Sequence, residues 1–337
     1  MKLRILSEAD ARNCLDMKGA IEAQAEAFAQ LAAKQTVEGL RAFVPSETPP
    51  AVTIFNPSYL KNGRGFGIKV VSDFFHNDDV SVPRMSALMV LFCGQTGLPR
   101  TVMEGGYLTD LRTGAGTALA ARHLARPGST SLVLFGAGRV ARNQLVALAE
   151  VLPLTCVRIV ARSRARAEEF LRWARRAGGR IPQDVALASD ATAALAAADV
   201  VVCATTATEP VLSGAALRQG TFVAAAGANR SDSREVDSET IRRATKRVID
   251  SRADCLKHAG DLQIPLSEGI LGQSDVAEIA EVIAGQRPGR ETSEEITYYK
   301  SIGVPIQDLW TAYRIEARAI AAGIGTVLEI GGDPVHF

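Results

Sequence analysis

No apolar run of about 18 residues occurs anywhere in the chain, so a membrane-spanning helix is not expected. Net charge is nearly absent as well. The 38 Lys and Arg residues offset 37 Asp and Glu, leaving +1. There is no global electrostatic case for nucleic acid. Cysteine is sparse: Cys14, Cys93, Cys156, Cys203 and Cys255 are odd in number and far apart. They make neither a disulfide framework nor a zinc knuckle, and they suit buried thiols in a reducing, cytoplasmic setting. The opening MKLRILSEADARNCLD carries charges where a signal peptide needs an apolar core. Internal repeats and low-complexity segments are missing. The one His/Asp cluster, DFFHNDD with Asp73, His76, Asp78 and Asp79, lacks a recognisable ligand frame, so it reads as a solvated loop and no metal is expected.

What is present is a large apolar fraction, 47% of 337 residues, enough for two domains. The stretch SLVLFGAGRVARNQL, residues 131–145, reads as a buried strand, a tight turn and a helix start. Gly136, Gly138 and Ala141 occupy the three small-residue positions of a dinucleotide fingerprint. The first permits the sharp turn, the second lets a pyrophosphate approach backbone N–H groups, and the third lets helix and strand pack closely. The pyrophosphate would then lie at the helix N-terminus.

Around this turn the chain divides. A strand at residues 3–6 precedes a helix capped by Ser7 and Asp10, and Asp16 caps a second helix over 17–34. Residues 36–110 read as antiparallel strands at 41–44, 51–59, 67–72, 86–92 and 99–104, separated by PSETPP, KNGRG and CGQTG turns. That region suits a substrate wall or a subunit interface. A helix starting at Thr109 or Asp110 would place Arg112 near a helix N-terminus, a poor place for a cation unless it meets an anion. Arg112 is therefore a candidate carboxylate binder, with a structural salt bridge as the plain alternative. Residues 128–300 alternate strand and helix, with strands at 156–160, 199–203, 222–225, 248–250 and 296–299 and a helix over 274–284. A last helix starts near Ile306 and is expected to pack back on the N-terminal region.

The acidic residue that grips an NAD ribose would stand about 20 residues after the glycines. Arg162, Ser163, Arg164 and Arg166 stand there instead. Arginine and serine can hold a 2′-phosphate, so NADP(H) is favoured, with NAD(H) as the alternative and a surface helix start as the plain explanation.

Several pieces in order resemble the ornithine cyclodeaminase/mu-crystallin family over nearly the whole length. They are Gly67-Ile68-Lys69-Val70, Arg112-Thr113-Gly114-Ala115, the Gly136 fingerprint, Ala204-Thr205-Thr206 before Glu209-Pro210, Arg234-Glu235-Val236-Asp237, GQRPGR from Gly285, and Lys300-Ser301-Ile302-Gly303 followed by Gln307-Asp308. The resemblance implies an α/β chain: a Rossmann-type doubly wound parallel sheet domain plus an α+β domain with a mainly antiparallel sheet. It implies domains at 1–112 for substrate binding and dimerisation, 113–300 for NAD(P), and 301–337 as a helix returning to the first domain. It places a substrate carboxylate on Arg41, Lys69 and Arg112. It places the cofactor on Thr113, on Gly136, Ala137, Gly138, Arg139 and Val140, on Arg162, Ser163 and Arg164, on Ala204, Thr205 and Thr206, and on Ser301. Asn229 and Val304 would face the substrate. Family members are homodimers acting on small amino or imino acids.

In the cyclodeaminase an acid/base aspartate directly follows the late glycine pair. Here that position is Asn229, whose amide cannot cycle a proton at neutral pH. The favoured reaction is therefore NAD(P)H-dependent reduction of a cyclic imino acid of the Δ1-pyrroline-2-carboxylate type. Lys69 and Arg112 are its catalytic candidates, and the proton comes from Lys69 or a bound water. Ornithine cyclodeamination, an alanine dehydrogenase or ectoine-utilisation activity, and a non-catalytic crystallin-like binder are the competing functions.

Overall fold

The computed structural model describes residues 1–61, 63–77 and 82–331. The chain forms two compact units, Met1–Arg112 with Pro305–Phe337, and Thr113–Val304.

The first unit opens with β1 (Lys2–Leu6), α1 (Glu8–Cys14) and α2 (Met17–Ala32). Ser7 and Asp10 close a capping box on α1, and Asp16 accepts the Gly19 N–H at 2.9 Å to start α2. Ala20, Ala23, Gln24, Ala27 and Phe28 form the buried stripe of α2 at helical spacing. Five further strands form the antiparallel part of the sheet: β2 (Thr36–Glu38), β3 (Ala42–Glu47), β4 (Pro50–Leu60), β5 (Gly65–Phe74) and β6 (Met85–Cys93). Next comes β7 (Pro99–Glu104), followed by α3 (Gly105–Leu124).

Three expectations change here. The PSETPP stretch is largely strand, since β3 runs to Glu47 and β4 starts at Pro50. The strand β2 had not been expected; it is short and pairs with the far end of β4. Most consequentially, α3 begins at Gly105, not at Thr109 or Asp110, because the Glu104 carboxylate accepts the N–H groups of Gly106 (2.5 Å) and Tyr107 (2.8 Å). Arg112 therefore lies well inside the helix, and the dipole argument for it falls away. Within DFFHNDD, Asp73 pairs with Arg84 at 2.7 Å, His76 lies in a turn, and Asp78 and Asp79 lie outside the described residues.

The second unit holds β8 (Ser131–Phe135), α4 (Arg139–Val151), β9 (Cys156–Val160), α5 (Arg164–Ala177), β10 (Asp184–Leu187), α6 (Ala191–Ala197), β11 (Val200–Cys203) and β12 (Phe222–Ala225). It continues through α7 (Ser238–Arg243), β13 (Lys246–Ile249), α8 (Arg252–His258), α9 (Gly260–Ser267), β14 (Val276–Glu278), α10 (Ile279–Ile283) and β15 (Thr297–Lys300). Its sheet is parallel in the order β10-β9-β8-β11-β12-β15-β13-β14. Strands such as VVVC and FVAA are buried throughout, as a sheet covered on both faces requires. The order reverses between β8 and β11, and ligands of doubly wound sheets bind outside the carboxyl ends at such a point. The expected helix over 274–284 is shorter: residues 276–278 pair with β13, and Glu278 then starts α10 through a capping box with Glu281.

The chain returns to the first unit through α11 (Pro305–Ala322) and β16 (Thr326–Glu329). Among the described residues that unit's sheet runs β16-β1-β7-β6-β5-β4-β2, with β3 also on β4, and every pairing but β1–β7 is antiparallel. The helix α11 lies on β4, β5 and β6 and against α2, where Gln24 Nε2 donates to Thr311 Oγ1 at 2.9 Å. Gly67 makes this approach close. A Cβ there would stand 2.6 Å from Met89 Cε and 2.8 Å from Leu309 Cδ1. The molecule is thus an α/β Rossmann-type unit plus an α+β unit with a mainly antiparallel sheet.

Candidate active site

The glycine turn follows β8 directly. Gly136 has φ 113, a left-handed conformation, and a Cβ there would meet the Ala204 carbonyl oxygen at 2.4 Å. A Cβ on Gly138 would meet nothing within 4 Å. Gly138 is also the N-cap of α4, and no side chain caps that helix. The start of a 13-residue helix thus presents backbone N–H groups beside open space, which fits a dinucleotide pyrophosphate. Ala141 is fully buried beneath the turn. Arg139 is exposed, while Ala137 and Val140 are half-buried.

Two neighbouring loops are tied together from below by one buried carboxylate. Glu235 accepts the N–H (2.7 Å) and hydroxyl (2.8 Å) of Thr205 and the N–H groups of Gly227 (2.7 Å) and Ala228 (3.0 Å). Asp261 in turn accepts the N–H groups of Glu235 (2.7 Å) and Val236 (3.0 Å) and pairs with the fully buried Lys300 at 2.6 Å. Lys300 also donates to the Ala228 carbonyl at 2.5 Å. The segment after β15 is held likewise: Asp250 accepts from the Ser301 hydroxyl (2.9 Å), Ile302 N–H (2.9 Å) and Gly303 N–H (2.6 Å). The hydroxyls of Thr205 and Ser301 therefore face inward to carboxylates. Ala204 is buried, Thr206 exposed and Thr113 half-buried, Val304 is buried, and Asn229 is exposed. At the end of β9, Ser163 caps α5 by accepting the Arg166 N–H at 3.3 Å, Arg164 reaches Glu168 at 3.0 Å, and Arg162 is exposed.

In the first unit a second cluster stands on β5, α3 and α11. The buried face of β5 alternates Gly65, Gly67, Lys69 and Val71, so Lys69 sits at a core position. Its ammonium is 2.7 Å from Asp308 Oδ2, and Arg112 Nε is 3.0 Å from Asp308 Oδ1. Arg112 is 7% exposed, and Lys69 and Asp308 are each 3% exposed. Burial pulls the Lys69 pKa down to about 8, with Asp308 opposing and Arg112 and Arg41 assisting. Burial raises the Asp308 carboxyl, but Lys69, Arg112 and Arg41 more than reverse this and hold it below the ordinary value. Directly across the strands from Lys69 stands Asn56, buried, with an Oδ1 that has no partner among the described residues.

The structure thus brings Arg41, Lys69 and Arg112 into one electrostatic cluster, centred on a carboxylate that had not been singled out. The chain matches the model described as the ornithine cyclodeaminase/mu-crystallin family over residues 1–323. It belongs to that family.

Among its relatives, a Δ1-pyrroline-2-carboxylate reductase of Bacillus cereus is 31% identical over 326 residues, covering 96% of this chain and 99% of the relative. The solved structure of Thermococcus litoralis Δ1-pyrroline-2-carboxylate reductase, with NADH and L-proline, superposes with a TM-score of 0.91 at 34% identity, covering 96% and 99%. An archaeal alanine dehydrogenase dimer with bound NAD gives 0.90 at 31%, covering 98% and 100%. Within the family pattern, the residues that reasoning from the sequence passed over are Asp308, Glu235, Asp250 and Asp261. The first two lay inside motifs that carried the resemblance, and their acidic character beside buried positions was the signal.

Proposed function

We propose that this family member reduces a cyclic imino acid of the Δ1-pyrroline-2-carboxylate class to the cyclic amino acid, using NAD(P)H. The observation that carries the reading is the cluster in which the buried Lys69 and Arg112 contact one carboxylate, with the half-buried Arg41 adding its charge nearby. Such an excess of buried cations is costly unless an anion joins it. A substrate carboxylate is that anion. When bound, the reduced nicotinamide supplies the hydride for the C=N bond. Gly136, Gly138 and the open start of α4 hold the pyrophosphate. Lys69 holds a proton that the substrate nitrogen needs, and Asn56 Oδ1 offers an acceptor beside it. Asn229, with no carboxyl to cycle a proton, weighs against deamination of ornithine.

The two solved structures named above hold NADH and NAD. For this chain we favour NADP(H) over NAD(H), because Arg162, Ser163 and Arg164 stand where a ribose-binding carboxylate would exclude the 2′-phosphate. A homodimer, and a cytoplasmic location that suits five unpaired cysteines, complete the reading.

The test is loss of nicotinamide absorbance with Δ1-pyrroline-2-carboxylate, run with both cofactors. Stoichiometric oxidation with proline formed, and kcat/KM about tenfold or more higher with NADPH, is expected. Ammonia release from ornithine with no net cofactor change would overturn the reaction, and an NADH preference would overturn the cofactor choice.

A further inference from the structure

Lys69 and Arg112 do not stand free for a substrate carboxylate, since both already contact Asp308. The contact is divided between the two oxygens, and the hydrogen bond from Arg112 comes from Nε. Among the described residues the Nη groups of Arg112 make no hydrogen bond, so the outer edge of its fork is directed elsewhere. The lysine, in contrast, has a compact charge, and Asp308 sits on it at 2.7 Å.

Resting on the imino acid reading above, we propose that Asp308 is a positioning residue that sorts the two cations. It reserves Lys69 as the proton donor to the substrate nitrogen and leaves the Arg112 Nη groups for the substrate carboxylate.

The step balances as follows. A reduced nicotinamide dinucleotide held at the Gly136–Gly138 turn would supply the hydride for the new C–H bond at the imine carbon. The C=N π pair moves to nitrogen, which takes a proton from the Lys69 ammonium. Neutral Lys69 then regains a proton from water.

The groups facing Lys69 make this division necessary. From α3 comes Arg112, from the segment before β3 comes Arg41, and both disfavour a charged lysine. Asn56 on β4 and Met89 on β6 stand directly across from it and carry no charge. Glu38 on β2 is engaged with the Ser58 hydroxyl (3.1 Å) and the Ile306 N–H (3.1 Å). Asp308 is therefore the carboxylate that keeps a buried lysine protonated, and with it Lys69 titrates near 8, where a donor works at neutral pH. Gly67 secures the arrangement by letting α11 approach β5 closely enough for Asp308 to reach Lys69.

The experiment compares pH profiles of kcat for wild type, Asp308→Asn, Asp308→Glu and Lys69→Met. In parallel, the Lys69 Nζ signal is followed by heteronuclear NMR of lysine-labelled protein and assigned by its loss in Lys69→Met. Wild-type kcat is expected to fall above about pH 8. Asp308→Asn is expected to move both that limb and the NMR midpoint to lower pH, and to lower kcat at alkaline pH about tenfold or more, with imino acid KM changed about threefold or less. Asp308→Glu is expected to restore part of the shift. A limb and a signal that stay in place in Asp308→Asn would overturn the proposal, as would a change confined to KM. If no variant and not the wild type turns over the imino acid while the NMR midpoint still moves, the functional reading fails and the control of Lys69 by Asp308 stands.

Discussion

A guanidinium is a planar fork of donors, and Arg112 uses its inner corner on Asp308 while the rest of the fork stays unbonded within the described residues. That geometry cannot be reproduced by an ammonium, so charge alone will not replace it. Arg112→Lys and Arg112→Ala are each expected to raise the imino acid KM about a hundredfold, on the order of 3 kcal/mol, and to leave the nicotinamide KM within about twofold. Steady-state kinetics with each substrate varied would check this. An unchanged imino acid KM would remove Arg112 from carboxylate binding. Arg112 drew attention in the sequence partly for a reason that the helix start at Gly105 overturns, and the structure shows it in contact with Asp308. Lys69 was legible from its motif, and its place on the buried face of β5 supports attention to it. Asp308 stood inside a motif that carried the resemblance, but its contact with Arg112 was not legible, because the two lie 196 residues apart and no local period announces such a pairing.

At the level of elements, strands with strong apolar runs were easy to place, and edges were not. The strands β2 and β16 are only three and four residues long, too short to show a strand period, although β16 carries the exposed Val327 and Leu328. The strand β14 hid inside a helical pattern because its pairing with β13 is a tertiary contact. Asp199 shows how one side chain can organise element ends. It accepts the N–H groups of Thr130 (2.9 Å) and Ser131 (3.0 Å) and the Ser131 hydroxyl (2.9 Å) at the start of β8, and it pairs with Arg126 and Arg218. Burial opposes ionisation, but these N–H, hydroxyl and Arg126 donors overcome it and bring the carboxyl from 3.8 to about 2. A lowered folded pKa means the stabilisation is present above 3.8 and is lost as pH falls toward 2. Asp199→Asn is expected to cost about 2 kcal/mol at pH 7, and the difference from wild type is expected to shrink below about pH 3.8. Chemical denaturation across that range would measure it, and a pH-independent difference would show that the carboxylate charge contributes nothing.

At the scale of the whole molecule, the sheet of the first unit has two unlike faces. Lys69, Gly67 and their neighbours face α11. The alternate residues form the other face, where Phe55, Val70 and Leu88 stand in one cross-strand row and Tyr59, Phe66 and Phe92 in another. The second row is stacked, with Phe66 and Phe92 centroids 4.6 Å apart. Leu88 is 53% exposed, and Val44, which shares this face through its pairing with Thr53, is 54% exposed. An apolar sheet face of this extent marks an association surface, and an isologous contact would bury the same residues from both copies. We therefore expect a homodimer at twice the chain mass of 35.8 kDa in light scattering after size exclusion. The double variant Val44→Glu, Leu88→Glu would place charges in that contact from both copies and is expected to run as a folded monomer with an unchanged circular dichroism spectrum. Each position is already solvent-accessible in the single chain, so the substitution should cost little within one copy, on the order of 0.5 kcal/mol each. A wild-type monomer, or a double variant that stays dimeric, would move the interface away from this face.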